Sequence, residues 1–249
     1  MEEFPFISIL TPTYKRRQFT PLMIYNVKNY DYPKEKLEWI IYDDSPEQYK
    51  QFKNEEELKK AEQECGVKIN YIYDNSTHLS IGVKRNKLTK LAKYKICINQ
   101  DTDDIYTPEY IKYSLKMLRS QKNAGLAGSP QMLFLFPNQD WKMTAINCPS
   151  MRQAHEATFC YTKKYWKQMG GYCKTGNGEG ASLIDFNEKN CIKTDCMYQM
   201  VCIAHKANTV DKDQFSDDKK ESIYNLGTKP VQEIQDIVSK CLADEFVII

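Results

Sequence analysis

The first strand signal of the chain is Phe6-Ile-Ser-Ile-Leu10, which is followed directly by Thr11-Pro-Thr13. A short, mostly apolar run that ends at a turn signal is typical of a buried strand meeting a loop. Similar strand patterns recur at 37–42, 67–73 and 94–99. Helical patterns lie between them, at 20–30, 54–64 and 81–92. Strand and helix therefore alternate from residue 6 to residue 100, which predicts an α/β fold with a Rossmann-like, mostly parallel sheet flanked by helices.

The second half of the chain is less regular. Its strand-like segments are 132–136 and 157–161. Its helical patterns are 107–121, 163–169, 195–205 and 231–242. The polar stretch 211–221 predicts a mobile loop. We expect a single domain over residues 1–249, with a regular half at about 1–110 and a smaller, irregular half at about 111–249.

Composition excludes several functional classes. Lys and Arg number 35 against 33 Asp and Glu, and the formal charge of +2 is not gathered into a single-sign block. Attraction to nucleic acid or to anionic membranes is therefore not expected. No apolar run approaches the roughly 20 residues of a membrane span, and the N-terminus lacks a secretory pattern. The prediction is a cytoplasmic protein with no membrane span.

Polar residues follow three of the predicted strands. They are Thr11-Pro-Thr-Tyr14, Asp43-Asp44 and Asp101-Thr-Asp-Asp104. In an open parallel sheet ligands bind outside the carboxyl ends of the strands, so these segments are expected to line one crevice.

The carboxylates Asp101, Asp103 and Asp104 lie within four residues. Such a group repels itself unless cations or donors offset it, and Mg²⁺ or Mn²⁺ bound together with substrate phosphates is a usual solution. A solvated turn in which Asp103 or Asp104 caps the next helix explains the triplet equally well. Alone, Lys84, Arg85 and Lys87 are typical of a solvated basic face. Together with Tyr14-Lys-Arg-Arg17 they are expected to supply the cationic half of a nucleotide-phosphate site.

Taken in order, these motifs resemble those of glycosyltransferase family 2 with the GT-A fold. Ile7 to Tyr14 resembles the first strand and loop of that family, and Ile41 to Ser45 resembles its second strand with an Asp-Asp end. Gly82-Val-Lys-Arg-Asn86 resembles its G-x-x-R-N helix, and Gln100 to Pro108 resembles its D-x-D-D metal motif. The match covers about residues 5–110 and is looser beyond. The resemblance therefore implies a nucleotide-sugar-binding half at about 1–110 and an acceptor-side half with a C-terminal helix at about 111–249.

The resemblance implies roles for individual residues. Asp44 is expected to contact the nucleobase, Tyr14 to stack beside it and Arg85 to hold the base or the diphosphate. Asp101 is expected to face the ribose or the metal, and Asp103 to ligate Mn²⁺ or Mg²⁺. The full expected nucleotide-sugar site is Thr11, Tyr14, Arg16, Asp44, Lys84, Arg85 and Asp101, and the expected metal ligands are Asp101, Asp103 and His205.

The acceptor side departs from the family pattern. An acidic pair of Glu and Asp is usual, whereas Glu179 is followed by Gly180. Glu179 is the first candidate for the catalytic base and Asp185 the second. His205 is either a metal ligand, since a neutral imidazole is competent, or a structural histidine. His155-Glu156 either meets the acceptor sugar or forms part of a turn.

The resemblance implies a metal-dependent, inverting glycosyltransferase. It would move a sugar from a UDP- or GDP-sugar to a hydroxyl of a glycan or glycoprotein. One alternative is a degenerate GT-A fold that serves as a sugar-binding or assembly module. The absence of an acidic residue at position 180 favours this alternative. Another is a sugar nucleotidyltransferase, which the absence of glycine between Thr11 and Arg17 disfavours.

Overall fold

The computed structural model describes residues 4–185, 187–208, 210–216, 223–227 and 232–242. The described residues form seven α-helices, which are α1 Thr20–Asn29, α2 Glu55–Cys65, α3 Ile81–Leu91, α4 Tyr110–Leu118, α5 Lys163–Gln168, α6 Ala181–Ile184 and α7 Gln232–Cys241. The first six strands are β1 Ile7–Thr13, β2 Leu37–Asp43, β3 Ile69–Tyr73, β4 Ile96–Asn99, β5 Asp104–Tyr106 and β6 Leu126–Gly128. The others are β7 Gln131–Phe136, β8 Lys142–Asn147, β9 Cys160–Thr162, β10 Cys191–Lys193, β11 Met200–Ile203 and β12 Ile223–Gly227.

The strands form two sheets. A seven-stranded sheet has the order β10-β6-β9-β4-β1-β2-β3, and a five-stranded sheet has the order β12-β8-β7-β11-β5. Strand β1 lies parallel to β2 on one side and to β4 on the other. The chain thus builds β1, β2 and β3 in one direction and then crosses β1 to add β4. This reversal of strand order is the position at which ligands bind in open α/β sheets.

Helices cover both faces of the seven-stranded sheet because β1 buries residues on both sides. Ile7 and Ile9 pack in one apolar cluster with Val27 of α1, whereas Leu10 packs in a second cluster with Leu88 of α3. A third cluster joins the five-stranded sheet to α7, where Val238 is fully buried. The predicted α/β fold with a mostly parallel sheet is confirmed, with β9 as an antiparallel strand beside β4.

Local signals explain where the helices of the first half begin and end. The Asn54 side chain accepts a hydrogen bond from the backbone of Glu57 and caps α2, and Gly66 ends it with a φ of 72°. That left-handed conformation is available to glycine at little cost. Pro21 occupies the first turn of α1, where no backbone donor is needed. These helices lie within a few residues of their predicted bounds.

The prediction of a helix over 195–205 is wrong. A 3-10 turn, Cys196–Tyr198, precedes strand β11, whose four residues are all buried. Strand β11 lies between β7 and β5, so its backbone groups pair with two neighbours. A short apolar run does not distinguish a buried strand from a buried helix by its period. The five-stranded sheet, which depends on pairing between distant segments, decided the outcome.

Other predicted bounds shift in the second half. The helix expected at 107–121 is α4, which begins only at Tyr110, because strand β5 and a turn come first. The strand expected at 157–161 is β9, preceded by a 3-10 turn over Glu156–Thr158. Of the loop predicted at 211–221, residues 217–221 lie outside the described residues, and Asp213–Phe215 form a 3-10 turn. Among the helices that the structure describes, none has the length and apolar character needed to cross a membrane.

Candidate active site

The carboxyl ends of β1, β2 and β4 bring the predicted polar segments to one edge of the sheet. Two groups of side chains lie there. The β2-side cluster consists of Tyr14, Asp44, His78 and Lys84. The β4-side cluster consists of Arg16, Arg85, Asp101, Asp103, Glu179 and His205.

Asp44 is the centre of the β2-side cluster. Its side chain is fully buried, one oxygen accepts a hydrogen bond from Lys84 Nζ, and the other accepts one from the backbone N–H of Leu79 at 2.6 Å. Lys84 is itself buried and also donates to the carbonyl of Thr13 at 3.1 Å. Burial lowers the pKa of Lys84, and the hydrogen bond and charge of Asp44 oppose that shift. Asp44 and Lys84 therefore form a buried, preorganised polar pair.

Two aromatic side chains, Tyr14 and His78, lie beside this polar pair. The rings of Tyr14 and His78 lie 3.8 Å apart between centroids, and His78 Nδ1 is 3.2 Å from Asp44 Oδ2. His78 is 57 % exposed in its side chain, so solvent reaches the stack. Flat rings beside a buried carboxylate are suited to holding a nucleobase, which offers a π face and N–H donors.

Arg85 organises the β4-side cluster. Its side chain is 2 % exposed, its Nε donates to Glu179 at 2.9 Å, and its second amino group donates to both oxygens of Asp101 at 2.9 and 3.1 Å. Burial, which Arg85 only partly offsets, raises the pKa of Asp101. One guanidinium therefore ties the acidic turn after β4 to the loop that carries Glu179.

Close packing at Gly82 makes this contact possible. A Cβ atom at Gly82 would lie 1.8 Å from the carbonyl oxygen of Cys173 and 3.0 Å from Cβ of Glu179. The last residue of the motif, Asn86, accepts hydrogen bonds from Trp166 Nε1 and from the backbone N–H of Tyr172, both at 2.9 Å. The G-x-x-R-N spacing thus docks α3 against the loop between α5 and α6.

Asp103 and His205 meet in the same cluster. His205 Nε2 is 3.2 Å from Asp103 Oδ2, and Arg16 Nε is 3.4 Å from the same oxygen. Arg16 also donates to the carbonyl of Ala207. Burial acts to raise the pKa of Asp103, but the hydrogen bond and charge of His205 and the charge of Arg16 outweigh it and lower the pKa. The late histidine is therefore brought next to the acidic turn.

The β4-side cluster offers a divalent cation few protein donors. Within the described part of the chain, no group of three or more His, Cys, Asp or Glu side chains is arranged to hold a metal ion. Asp103 and His205 supply two donors, and the buried Nδ1 of His205 has no hydrogen-bond partner among the described residues. Two protein donors fit a Mg²⁺ or Mn²⁺ ion that completes its coordination with water and phosphate oxygens. Asp101 is instead directed to Arg85.

Three further side chains lie away from the expected contacts. Thr11 is fully buried, and its hydroxyl accepts a hydrogen bond from Trp39 Nε1 at 2.9 Å inside the sheet. Asp185 pairs with Arg152 at 2.7 Å beside a cavity next to α6. Asp104 is buried in strand β5, where burial and the charges of Asp103 and Asp101 raise its pKa well above the ordinary value. It is not a helix cap, since α4 begins six residues later.

His78 and Asn86 are not among the site residues predicted from the sequence. His78 follows β3 as Asp44 follows β2, so the rule that ligands gather after parallel strands was a signal for it. Asn86 belongs to the quoted helix motif, but its contacts with Trp166 and Tyr172 depend on residues 80 or more positions away.

The chain matches the family model described as "Glycosyl transferase family 2" over residues 8–181. No curated protein matches it. Among solved structures, a mannosyltransferase, PcManGT from Pyrobaculum calidifontis, in complex with GDP-Man and Mn²⁺, is 14 % identical with a TM-score of 0.61, covering 83 % of this chain and 59 % of that one. S. aureus TarS 1–349 is similar in its complexes with UDP and with UDP-GlcNAc, each at 14 % identity and a TM-score of 0.59.

The two TarS matches cover 80 % and 82 % of this chain and 60 % of TarS 1–349. The chain therefore spans about 60 % of the length of these solved structures. Their likeness to this chain identifies the fold as that of GT-A glycosyltransferases.

Proposed function

This chain belongs to glycosyl transferase family 2, and from that premise we propose that it transfers a sugar from a nucleoside diphosphate sugar to an acceptor hydroxyl. The observation that carries the proposal is the meeting of Arg85, Asp101, Asp103 and His205 at the carboxyl ends of β1 and β4. Anionic and cationic groups gathered at that edge suit a ligand with a diphosphate. GDP-Man, UDP and UDP-GlcNAc in the similar structures favour a UDP- or GDP-sugar as the donor.

In this proposal the β2-side cluster holds the nucleobase. Tyr14 and His78 offer ring faces for stacking, and Asp44 accepts a hydrogen bond from a base N–H. Lys84 places the opposite charge beside Asp44 in a buried setting and holds that carboxylate in position. Thr11 contributes through the sheet beneath the site, because its hydroxyl is bound to Trp39.

The β4-side cluster holds the diphosphate. Asp103 and His205 are the residues that would hold Mn²⁺ or Mg²⁺, and Arg16 lies against the same carboxylate. When bound, the cation offsets the negative charge that develops on the departing nucleoside diphosphate. Asp101 keeps Arg85 in place and faces the ribose side of the donor.

The reaction is proposed to be a direct displacement. The acceptor hydroxyl, from a glycan or glycoprotein, attacks the anomeric carbon from the side opposite the diphosphate, which inverts that centre. A carboxylate must take the hydroxyl proton during this step. Both carboxylates considered from the sequence are already paired, Glu179 with Arg85 and Asp185 with Arg152.

Calorimetric titration of UDP and of GDP tests the proposal, with Mn²⁺ and with a chelator. We expect one nucleotide to bind the wild-type protein in a Mn²⁺-dependent manner and Asp103→Ala to abolish that dependence. The matched control is Asp31→Ala, since Asp31 is 61 % exposed and pairs only with Lys112 at 2.6 Å among the described residues. Failure of both nucleotides to bind would contradict the proposal and favour a sugar-binding or assembly module.

A further inference from the structure

Most carboxylates near the candidate site are bound to cationic side chains. Asp101 and Glu179 share Arg85, and Asp103 lies against His205 and Arg16. Farther out, Asp185 is bound by Arg152. A carboxylate held by a cation must give up part of that interaction to accept a proton, so these groups are poorly placed to act as bases.

Glu156 has a different environment. It opens the 3-10 turn Glu156–Thr158 and is half-buried. Its Oε1 accepts a hydrogen bond from the backbone N–H of Gly180 at 3.0 Å, and its carboxylate forms no ion pair with a cationic side chain of the described residues. Its backbone carbonyl accepts a hydrogen bond from Asn99 Nδ2 at 2.7 Å. Asn99 ends β4 two residues before Asp101, so the turn is anchored beside the acidic segment.

Gly180 makes room for this side chain. A Cβ atom at position 180 would lie 2.6 Å from Cγ of Glu156 and 2.6 Å from the ring of Phe159. The Glu156 carboxylate therefore reaches the loop that carries Glu179. The residue that follows Glu179 cannot itself carry an acid here, and Glu156 supplies one from 24 residues away.

The electrostatic surroundings favour a base that works near neutral pH. Burial, with the charge of Glu179, raises the pKa of Glu156 to about 7, while hydrogen bonds from its own backbone N–H and from the Gly180 N–H, and the charge of Arg85, oppose the rise. The adjacent His155 accepts a hydrogen bond from the Ala157 N–H through Nδ1. Burial and the charges of Lys212 and Arg85 lower the pKa of His155 to about 3, so it stays neutral while Glu156 titrates.

We propose that Glu156 is the catalytic base for the acceptor, an assignment that rests on the proposed glycosyl transfer. As the acceptor oxygen forms its bond to the anomeric carbon, its proton passes to Oε2 of Glu156. The bond between the anomeric carbon and the diphosphate oxygen breaks at the same time, and its electron pair leaves with the nucleoside diphosphate. Glu179 acts as a positioning residue that holds Arg85.

Nucleotide release from UDP-GlcNAc and from GDP-mannose, with Mn²⁺ and water as the acceptor, provides the test. We expect Glu156→Gln to lower kcat by about 10² to 10⁴-fold while the Kd for the nucleotide stays within about threefold. Wild-type kcat/KM should rise about tenfold per pH unit below pH 7 and level off above it, and Glu156→Gln should lack this limb. Glu109→Gln, at an exposed position, is the matched control.

Glu156→Asp keeps the carboxylate but shortens its reach, and it should retain the pH limb at a reduced kcat. If Glu156→Gln keeps wild-type kcat and its pH limb while the wild type is active, the Glu156 assignment is overturned and the glycosyl transfer stands. If the wild type binds nucleotide but turns over neither donor, the assignment is overturned together with transfer. If the wild type binds no nucleotide, the donor site itself is overturned.

Discussion

Replacing Arg85 with methionine tests whether its buried ion pairs hold the acidic turn after β4 against the loop that carries Glu179. Arg85 is 2 % exposed and binds Glu179 through Nε and Asp101 through its second amino group. Methionine keeps an unbranched side chain but removes every donor of the guanidinium. The two carboxylates, of which Glu179 is 4 % exposed in its side chain, would then lose their shared cation.

The expected loss is large relative to the stability of a domain. Removing one partner of a buried ion pair costs about 3–5 kcal/mol, because the other charge is left uncompensated. The loss should fall near the lower end, about 3 kcal/mol, since the desolvation cost of the guanidinium disappears with it. For a domain with a free energy of unfolding of about 5–15 kcal/mol, this is a substantial fraction. The corresponding fall in Tm is roughly 6–12 °C.

Urea unfolding followed by tryptophan fluorescence, in the presence of a chelator, measures this difference. The control is Lys112→Met, which removes an ion pair with Asp31 in which the two side chains are 38 % and 61 % exposed. Such a pair contributes about 0–1 kcal/mol. The double variant Arg85→Met/Glu179→Gln should be at least about 1 kcal/mol more stable than the sum of its single changes predicts. A loss in Arg85→Met no larger than that of Lys112→Met would refute the reasoning.

Three more predictions follow from the geometry. Gly82→Ala should destabilise the protein by about 1–3 kcal/mol in urea unfolding, because its Cβ would lie 1.8 Å from a carbonyl oxygen, whereas Gly176→Ala, with nothing within 4 Å, should be nearly neutral; equal losses would contradict this. Asp44→Asn should weaken the calorimetric affinity for the preferred nucleotide about 10- to 100-fold by removing a charged acceptor; an unchanged Kd would place the base elsewhere. Of the nine cysteines, Cys148 and Cys173 are half-buried and the others are buried, so an aromatic disulfide reagent should modify two thiols quickly in the native protein and nine after unfolding; more than two fast thiols would count against the packing.

Much of the structure of residues 1–110 could be predicted because the sequence signals there are local. The apolar run at Ile7–Thr13 and the acidic segment after β4 are read within a few residues, and the parallel topology places them at one edge. The position of Arg85 three residues after Gly82 was likewise visible in the sequence, although the clash that requires the glycine was not. From the sequence, His205 is either a metal ligand or a structural histidine, and its contact with Asp103 at 3.2 Å depends on the fold.

The α/β class, the order of elements up to about residue 100 and the polar ends of three strands follow from the sequence alone, since each depends on periodicity or on neighbouring residues. That residues 200–203 form a strand does not, because this strand exists through its pairing with β5 and β7. The tertiary structure also directs Thr11 into the sheet and Asp185 to Arg152. The approach of Glu156 to Gly180 is of the same kind, since a contact across 24 residues depends on how strands and loops pack and leaves no periodic trace in the chain.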